Sequence, residues 1–137
     1  MNHPASVFLV EDNDSDVQLI TYAFQQTGTP VQITRFEHGK EFLSHLSQGN
    51  PKTPSCVLLD ISMPFMSGHE VLEALRKLPL FQFVPIVVFT SSDNHTDIQR
   101  AYERGANAYV KKPNEFEDLC SVVQSIVDFW LKTNFRL

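Results

Sequence analysis

Four apolar runs in this chain stop abruptly at residues that could share one piece of chemistry. SVFLV ends at Glu11 and Asp12, CVLL at Asp60, PIVVF at Thr90, and AYV at Lys111 and Lys112. A continuous run of Val, Ile, Leu and Phe reads as a strand buried on both faces, and in open parallel sheets the ligand crevice lies beyond the carboxyl ends of such strands. Four such strands side by side would bring Glu11, Asp12, Asp60, Thr90 and Lys112 to a single site. Carboxylates so placed repel, since two unit charges about 4 Å apart interact by roughly 4 kcal/mol at an effective dielectric of about 20. A hard divalent ion among them removes the conflict, and Mg2+ held by one or two carboxylates and a phosphate is the usual arrangement. Glu11 and Asp12 would hold the ion, with the backbone carbonyl of Ser62 completing its shell. Asp60 would face it with one oxygen and use the other as a nucleophile toward phosphorus, forming an acyl phosphate. Transfer of that kind is catalysed mainly by positioning and charge stabilisation. Lys112 supplies a mobile positive charge and Thr90 a hydroxyl donor, while Pro113 fixes the chain direction behind the amine.

Each residue taken alone has a plainer reading. Glu11 and Asp12 could simply open a helix, where the macrodipole favours acids. Asp60 could cap a loop, and Thr90 with Ser91 and Ser92 could satisfy backbone donors before a helix. Lys111 and Lys112 could be a solvated pair. The plain readings weaken together, because all four strand ends must be coincidences at once. His69 and His95 are read as facing water with no role, and Met63 and Met66 as packing in the loop after Asp60.

Strand and helix signals alternate along the whole chain, the sequence sign of an α/β domain with a parallel sheet. After the first strand, Asp14 or Ser15 can cap a helix bearing Val17, Ile20, Ala23 and Phe24 at helical spacing, and Gly28 stops it. VQITRF alternates apolar and polar, as a half-exposed edge strand does. A second helix around KEFLSHLSQ ends at the breaker cluster GNPKTP. The loop ISMPFMSG leads to a third helix with Val71, Leu72, Leu75 and Leu78 inward. The stretch from Asp93 to Arg104 reads as a polar, weakly anchored helix with only Ile98, Ala101 and Tyr102 to bury. The last helix runs from about Glu115 to Lys132, with Phe116, Leu119, Val123, Ile126 and Trp130 along one stripe. Five strands and five helices in alternation predict a doubly wound parallel sandwich with helices on both faces, a single domain over residues 1–137 with no output domain.

Composition narrows the function classes. A chain of 137 residues with two cysteines and no ligand spacing among its cysteines and histidines needs neither a disulfide nor a structural metal. The N-terminal stretch MNHPASVFLV has no basic leader, and no segment approaches the roughly 18 apolar residues of a membrane span, so a cytoplasmic protein without membrane insertion is expected. A net charge of −5 argues against a direct nucleic-acid surface.

The set LVEDN, CVLLDISMPFMSGHEVL, VVFTSS and GANAYVKKP resembles the receiver domain of two-component response regulators over roughly Ser6 to Lys132. The resemblance implies Asp60 as phosphoacceptor, Glu11 and Asp12 as Mg2+ acids, and Thr90 and Lys112 as the pair that senses the phosphoryl group. It implies Tyr109, three residues before Lys112, as a switch aromatic that enters space vacated by Thr90. It further implies the flavodoxin-like strand order 2-1-3-4-5 of chemotaxis regulators of the CheY type. The expected partner is a histidine kinase or a histidine phosphotransfer protein, and the expected role is a phosphoacceptor that assists its own phosphorylation and dephosphorylation. Ser62 and Ser92 occupy positions that resemble those tuning dephosphorylation. The segment DLCSVVQSIVDFWLKT resembles the last helix of stand-alone receivers that partner phytochrome-type kinases. Phe129, Trp130, Leu131, Phe135 and Leu137 make an unusually apolar end, which either folds back over the sheet edge or meets another molecule, a homodimer through the last helix and tail. Two other classes compete. A haloacid dehalogenase-type phosphatase wants a second acid two residues after its nucleophile, where this chain has Ser62; a pseudo-receiver would not need the full acid, hydroxyl and lysine set.

Overall fold

The computed structural model describes residues 4–49 and 52–137. Asn50 and Pro51 of the GNPKTP cluster and the first three residues lie outside the described residues. Five strands, β1 (Ala5–Val10), β2 (Val31–Phe36), β3 (Cys56–Leu59), β4 (Ile86–Thr90) and β5 (Ala108–Lys111), form one all-parallel sheet in the order β2-β1-β3-β4-β5. Between and after them run α1 (Asp14–Gln26), α2 (Gly39–Leu46), α3 (Gly68–Arg76), α4 (His95–Glu103) and α5 (Phe116–Ile126), the last continuing as a π-helical turn over Val127–Thr133. β3 and β4 are buried at every position, which is why they read as unbroken apolar runs. β2, at one edge, is partly exposed at most positions without a strict alternation, and β5 is the other edge.

The pleat sends alternate side chains to two separate cores. Val7 and Leu9 join Ile20, Phe24, Leu119 and Val123 under α1 and α5. Phe8 and Val10 face α2, α3 and α4, where Phe8, Phe36 and Phe42 pack with ring centroids 4.7–6.0 Å apart. Burying each such ring stabilises the fold by about 1.5–3 kcal/mol. At the N-terminal ends of the strands Arg76 gathers the loops: its guanidinium donates to the carbonyls of Phe81, Val84 and Gly105 and to Asn107 Oδ1 at 2.7–3.0 Å.

Several local expectations shift. The cap of α1 is Asn13, whose Oδ1 accepts from the Asp16 amide at 2.9 Å, one residue before the expected Asp14 or Ser15. α4 begins after Asn94 instead of Asp93 and buries Ala101 alone; Tyr102 is 50 % exposed. Phe116 is 39 % exposed and does not belong to the buried stripe of α5. His69, expected in water, is buried at the start of α3, because the N-terminal turn of that helix lies under α4; His95 is exposed as expected.

Candidate functional site

Glu11, Asp60 and Lys112 each sit one residue past a strand, yet each amide stays on the ladder. Glu11 N–H donates to Phe36 O (3.0 Å), Asp60 N–H to Val10 O (3.0 Å) and Lys112 N–H to Thr90 O (2.7 Å). The sheet therefore fixes the three backbones relative to one another. Glu11, Asp12 and Asp60 each present a carboxylate oxygen within 4.8 Å of the other two. Glu11 is 1 % exposed, Asp60 5 % and Thr90 fully buried.

The ammonium of Lys112 crosses into this group. It donates to Glu11 Oε1 at 2.6 Å and to Asp16 Oδ2 at 2.8 Å, and stands 3.7 Å from Asp60 Oδ2. Burial works to lower the Lys112 pKa, but the hydrogen bonds to Asp16 and Glu11 outweigh it, so the pKa is held above its ordinary value and the ammonium stays charged. Burial, opposed by the Lys112 hydrogen bond and reinforced by the charge of Asp60, pushes the Glu11 carboxyl up to about 7. Both Glu11 oxygens are engaged, Oε2 by the Asn13 amide at 3.2 Å. The Lys112 ammonium thus partly neutralises the cluster, shared between Glu11 and Asp16. An oxygen-only donor set of three carboxylates fits a hard divalent cation.

On the other flank, the Ser62 amide donates to Asp60 Oδ1 at 3.1 Å, and Ser62 Oγ lies 3.5 Å from Thr90 Oγ1. Tyr109 is half-buried against the core below α3 and α4, its hydroxyl donating to the Ser92 carbonyl at 2.9 Å. The ring therefore lies partly buried on the side of β5 that faces α3 and α4.

Every sequence-predicted site residue lies at this end of the sheet, and three further contributors were not anticipated. Asp16 was hidden because its partnership with Lys112 depends on which face of α1 meets β5. Arg35, at the end of β2, props the acidic loop, donating to Glu11 O at 2.9 Å and to Asp14 Oδ1 at 2.7 Å. Gly68 lies so close to the Asp60 carbonyl and Ile61 Cα that any Cβ would collide with that backbone. Next to Lys112, α1 and the start of α5 enclose a cleft of about 340 Å3 walled by Asp16, Leu19, Ser91, Pro113 and Phe116 among others.

Comparison with known proteins agrees with this geometry. The family model for the response regulator receiver domain matches residues 7–124. The probable methanogenesis regulatory protein FilR2 of Methanothrix harundinacea is 37 % identical over 134 residues, covering 96 % of this chain and 86 % of the relative. Response regulator Rcp1 of Synechocystis is 32 % identical, covering 96 % of this chain and 92 % of the relative. Among solved structures, the phosphorylated cyanobacterial phytochrome response regulator RcpA superposes with a TM-score of 0.90 at 32 % identity, over 98 % of this chain and 99 % of that one. The Mn2+-bound form of Rcp1 gives 0.87 at 30 % identity, over 98 % and 99 %. A flavodoxin-like sheet with its acids, hydroxyl and amine at the strand ends, and a match over most of its length, make this chain a member of the response regulator receiver family, the phosphorelay proteins of two-component signalling.

Proposed function

We propose that Asp60 is the phosphoacceptor of this receiver and that residues 1–137 act as a single signalling domain in the cytoplasm, receiving the phosphoryl group from a histidine kinase or a histidine phosphotransfer protein. One Asp60 oxygen attacks the phosphorus of a phosphohistidine. The P–O bond forms as the P–N bond breaks, and the imidazole nitrogen keeps the electron pair. Glu11, Asp12, Asp60 and the Ser62 carbonyl would hold Mg2+, which when bound neutralises charge on the transferring oxygens. A Mn2+-bound form of a relative supports a divalent cation in this family. Lys112 turns from Asp16 and Glu11 toward the new phosphoryl oxygens, and Thr90 donates its hydroxyl to them. Thr90 and Tyr109 then carry the change to the β4–α4 loop.

The observation that carries this reading is the meeting of three carboxylates with the Lys112 ammonium 3.7 Å from Asp60. The cleft beside Lys112, bordered by Leu19 (46 % exposed) and Phe116 (39 % exposed), offers an apolar seat for the partner's histidine-bearing helix. The names of the phytochrome response regulators among the relatives favour a phytochrome-type kinase as that partner. The protein is a phosphoacceptor that aids its own phosphorylation and dephosphorylation, not a turnover enzyme. Incubating the full chain with Mg2+ and acetyl phosphate is expected to give a single phosphoryl adduct by intact mass, removed by hydroxylamine and absent from Asp60→Asn. Phosphate release far in excess of protein would instead mark a phosphatase. A folded chain that takes up no phosphoryl group would mark a pseudo-receiver.

A further inference from the structure

His69 opens α3 and is 6 % exposed. Its Nε2 lies 3.4 Å from Asp97 Oδ1 on α4, while its Nδ1 is buried without a hydrogen-bond partner among the described residues. A buried polar atom left unpaired costs about 1–3 kcal/mol, and an apolar ring of the same size would avoid that cost. What an imidazole offers here, and a phenyl does not, is an N–H toward Asp97. Burial lowers the His69 pKa and, with the charges of Arg100 and Arg104, outweighs the upward pull of Asp97. The ring is therefore neutral, and the network assigns its proton to Nε2.

Asp97 does not stop at His69. Its Oδ2 accepts from Ser92 Oγ at 2.7 Å, and the Ser92 carbonyl accepts from the Tyr109 hydroxyl at 2.9 Å. One chain of hydrogen bonds thus joins α3, α4, the β4–α4 loop and β5. Ser92 lies two residues beyond Thr90, whose hydroxyl is 3.5 Å from Ser62 Oγ at the mouth of the acidic site.

We propose that His69 and Asp97 are positioning residues of the phosphoryl switch: through Ser92 they hold the β4–α4 loop in the arrangement that accepts the Tyr109 hydroxyl. This inference rests on the reading of Asp60 as phosphoacceptor. The hydrogen bond from Ser92 Oγ to Asp97 restrains the loop whose carbonyl faces Tyr109, and Asp97 is tethered in turn to α3 by His69. Breaking either tether lets the loop relax and the Tyr109 ring leave its inner site.

The test uses the full chain with tyrosine-selective isotope labelling, in four forms: wild type, His69→Phe, Asp97→Ala and the double variant. His69→Phe keeps an aromatic ring, somewhat larger than the imidazole, and leaves no buried polar atom unpaired on α3; the Asp97 side chain is 32 % exposed, so water can replace the lost partner. Tyr22 and Tyr102 are 59 % and 50 % exposed, so the half-buried Tyr109 ring is distinguishable by NMR. Without any phosphoryl analogue, the Tyr109 resonance is expected to move toward the exposed position in each variant. With Mg2+ and beryllofluoride, the analogue's affinity is expected to fall about threefold to tenfold in each single variant, the scale of one hydrogen bond, and no further in the double. Mg2+ affinity alone is expected to stay unchanged. An unmoved Tyr109 resonance, fully additive losses, or a parallel loss of Mg2+ affinity would each overturn the proposal. Failure of wild type to bind beryllofluoride would defeat the Asp60 reading instead, while the Tyr109 resonance without analogue would still decide the tether.

Discussion

Lys112 and His69 show two ways of burying a titratable side chain, and they fail in opposite directions with pH. Lys112 is charged among acids that hold it; His69 is neutral because burial denies it the proton. An unfolded histidine takes up a proton below about pH 6.5. The folded ring resists, so below that pH the unfolded chain binds more protons than the native one. The contribution of His69 to stability therefore falls as pH drops through 6.5 toward the lower folded pKa and is fully present above 6.5, while Glu11, held up at about 7, works the other way in wild type and variant alike. Asp97, held below its ordinary value of 3.8 by the Ser92 hydrogen bond above all, adds a separate loss at more acid pH. Urea unfolding of wild type and His69→Phe from neutral pH downward is expected to give a shallower decline for the variant just below 6.5. Parallel declines would show that the imidazole is not shielded. Composition could not reveal this residue, since a histidine at a helix start is exposed unless another helix covers it, and α4 does.

The β3–α3 connection is the element with the tightest tolerances. Phe65 holds a left-handed backbone at φ 68° while being 97 % exposed, a conformation that costs a non-glycine residue about 1–2 kcal/mol. Three residues later Gly68 passes against the Asp60 carbonyl, and its amide donates to Ile61 O at 3.2 Å, so the helix start braces the nucleophile's own backbone. Gly68→Ala must push that backbone aside. The expected result is a loss of about 1–3 kcal/mol in urea unfolding, together with weaker Mg2+ binding, because the Asp60 carboxylate moves with its carbonyl. If both measurements match wild type, the contact is not a constraint. The strands and their terminal acids were legible from sequence because a run buried on both faces has no polar residue until it leaves the sheet. Gly68, Asp16 and Arg35 were not, since each depends on how one element faces another. The α1 cap slipped by one residue for a related reason: Asn13, Asp14 and Ser15 can all cap, and only the approach of the chain from β1 selects among them.

At the scale of the molecule, the two helical layers do not cover the sheet equally. α1 and α5 close one face, and the π-helical extension brings Trp130 and Leu131 onto it, half-buried. Phe129 remains 49 % exposed, and Phe135 and Leu137 are fully exposed. The segment thus packs back onto the core only in part, and its exposed rings leave contact with another molecule open to test. A few exposed rings do not make a stable interface, which needs about 1,000 Å2 or more. Leu137 borders a groove with Leu80 (57 % exposed) and Phe83 (69 % exposed), which extend the apolar surface. A homodimer formed this way would be weak and concentration-dependent. Sedimentation velocity over a concentration series is expected to show the full chain passing from monomer to dimer, and the Phe129→Ser, Phe135→Ser double variant remaining monomeric. Both positions are exposed, so the substitutions leave the core intact, and thermal unfolding of the variant should match wild type. A wild-type chain that stays monomeric throughout would rule out pairing through this helix, and a variant that still dimerises would move the interface elsewhere.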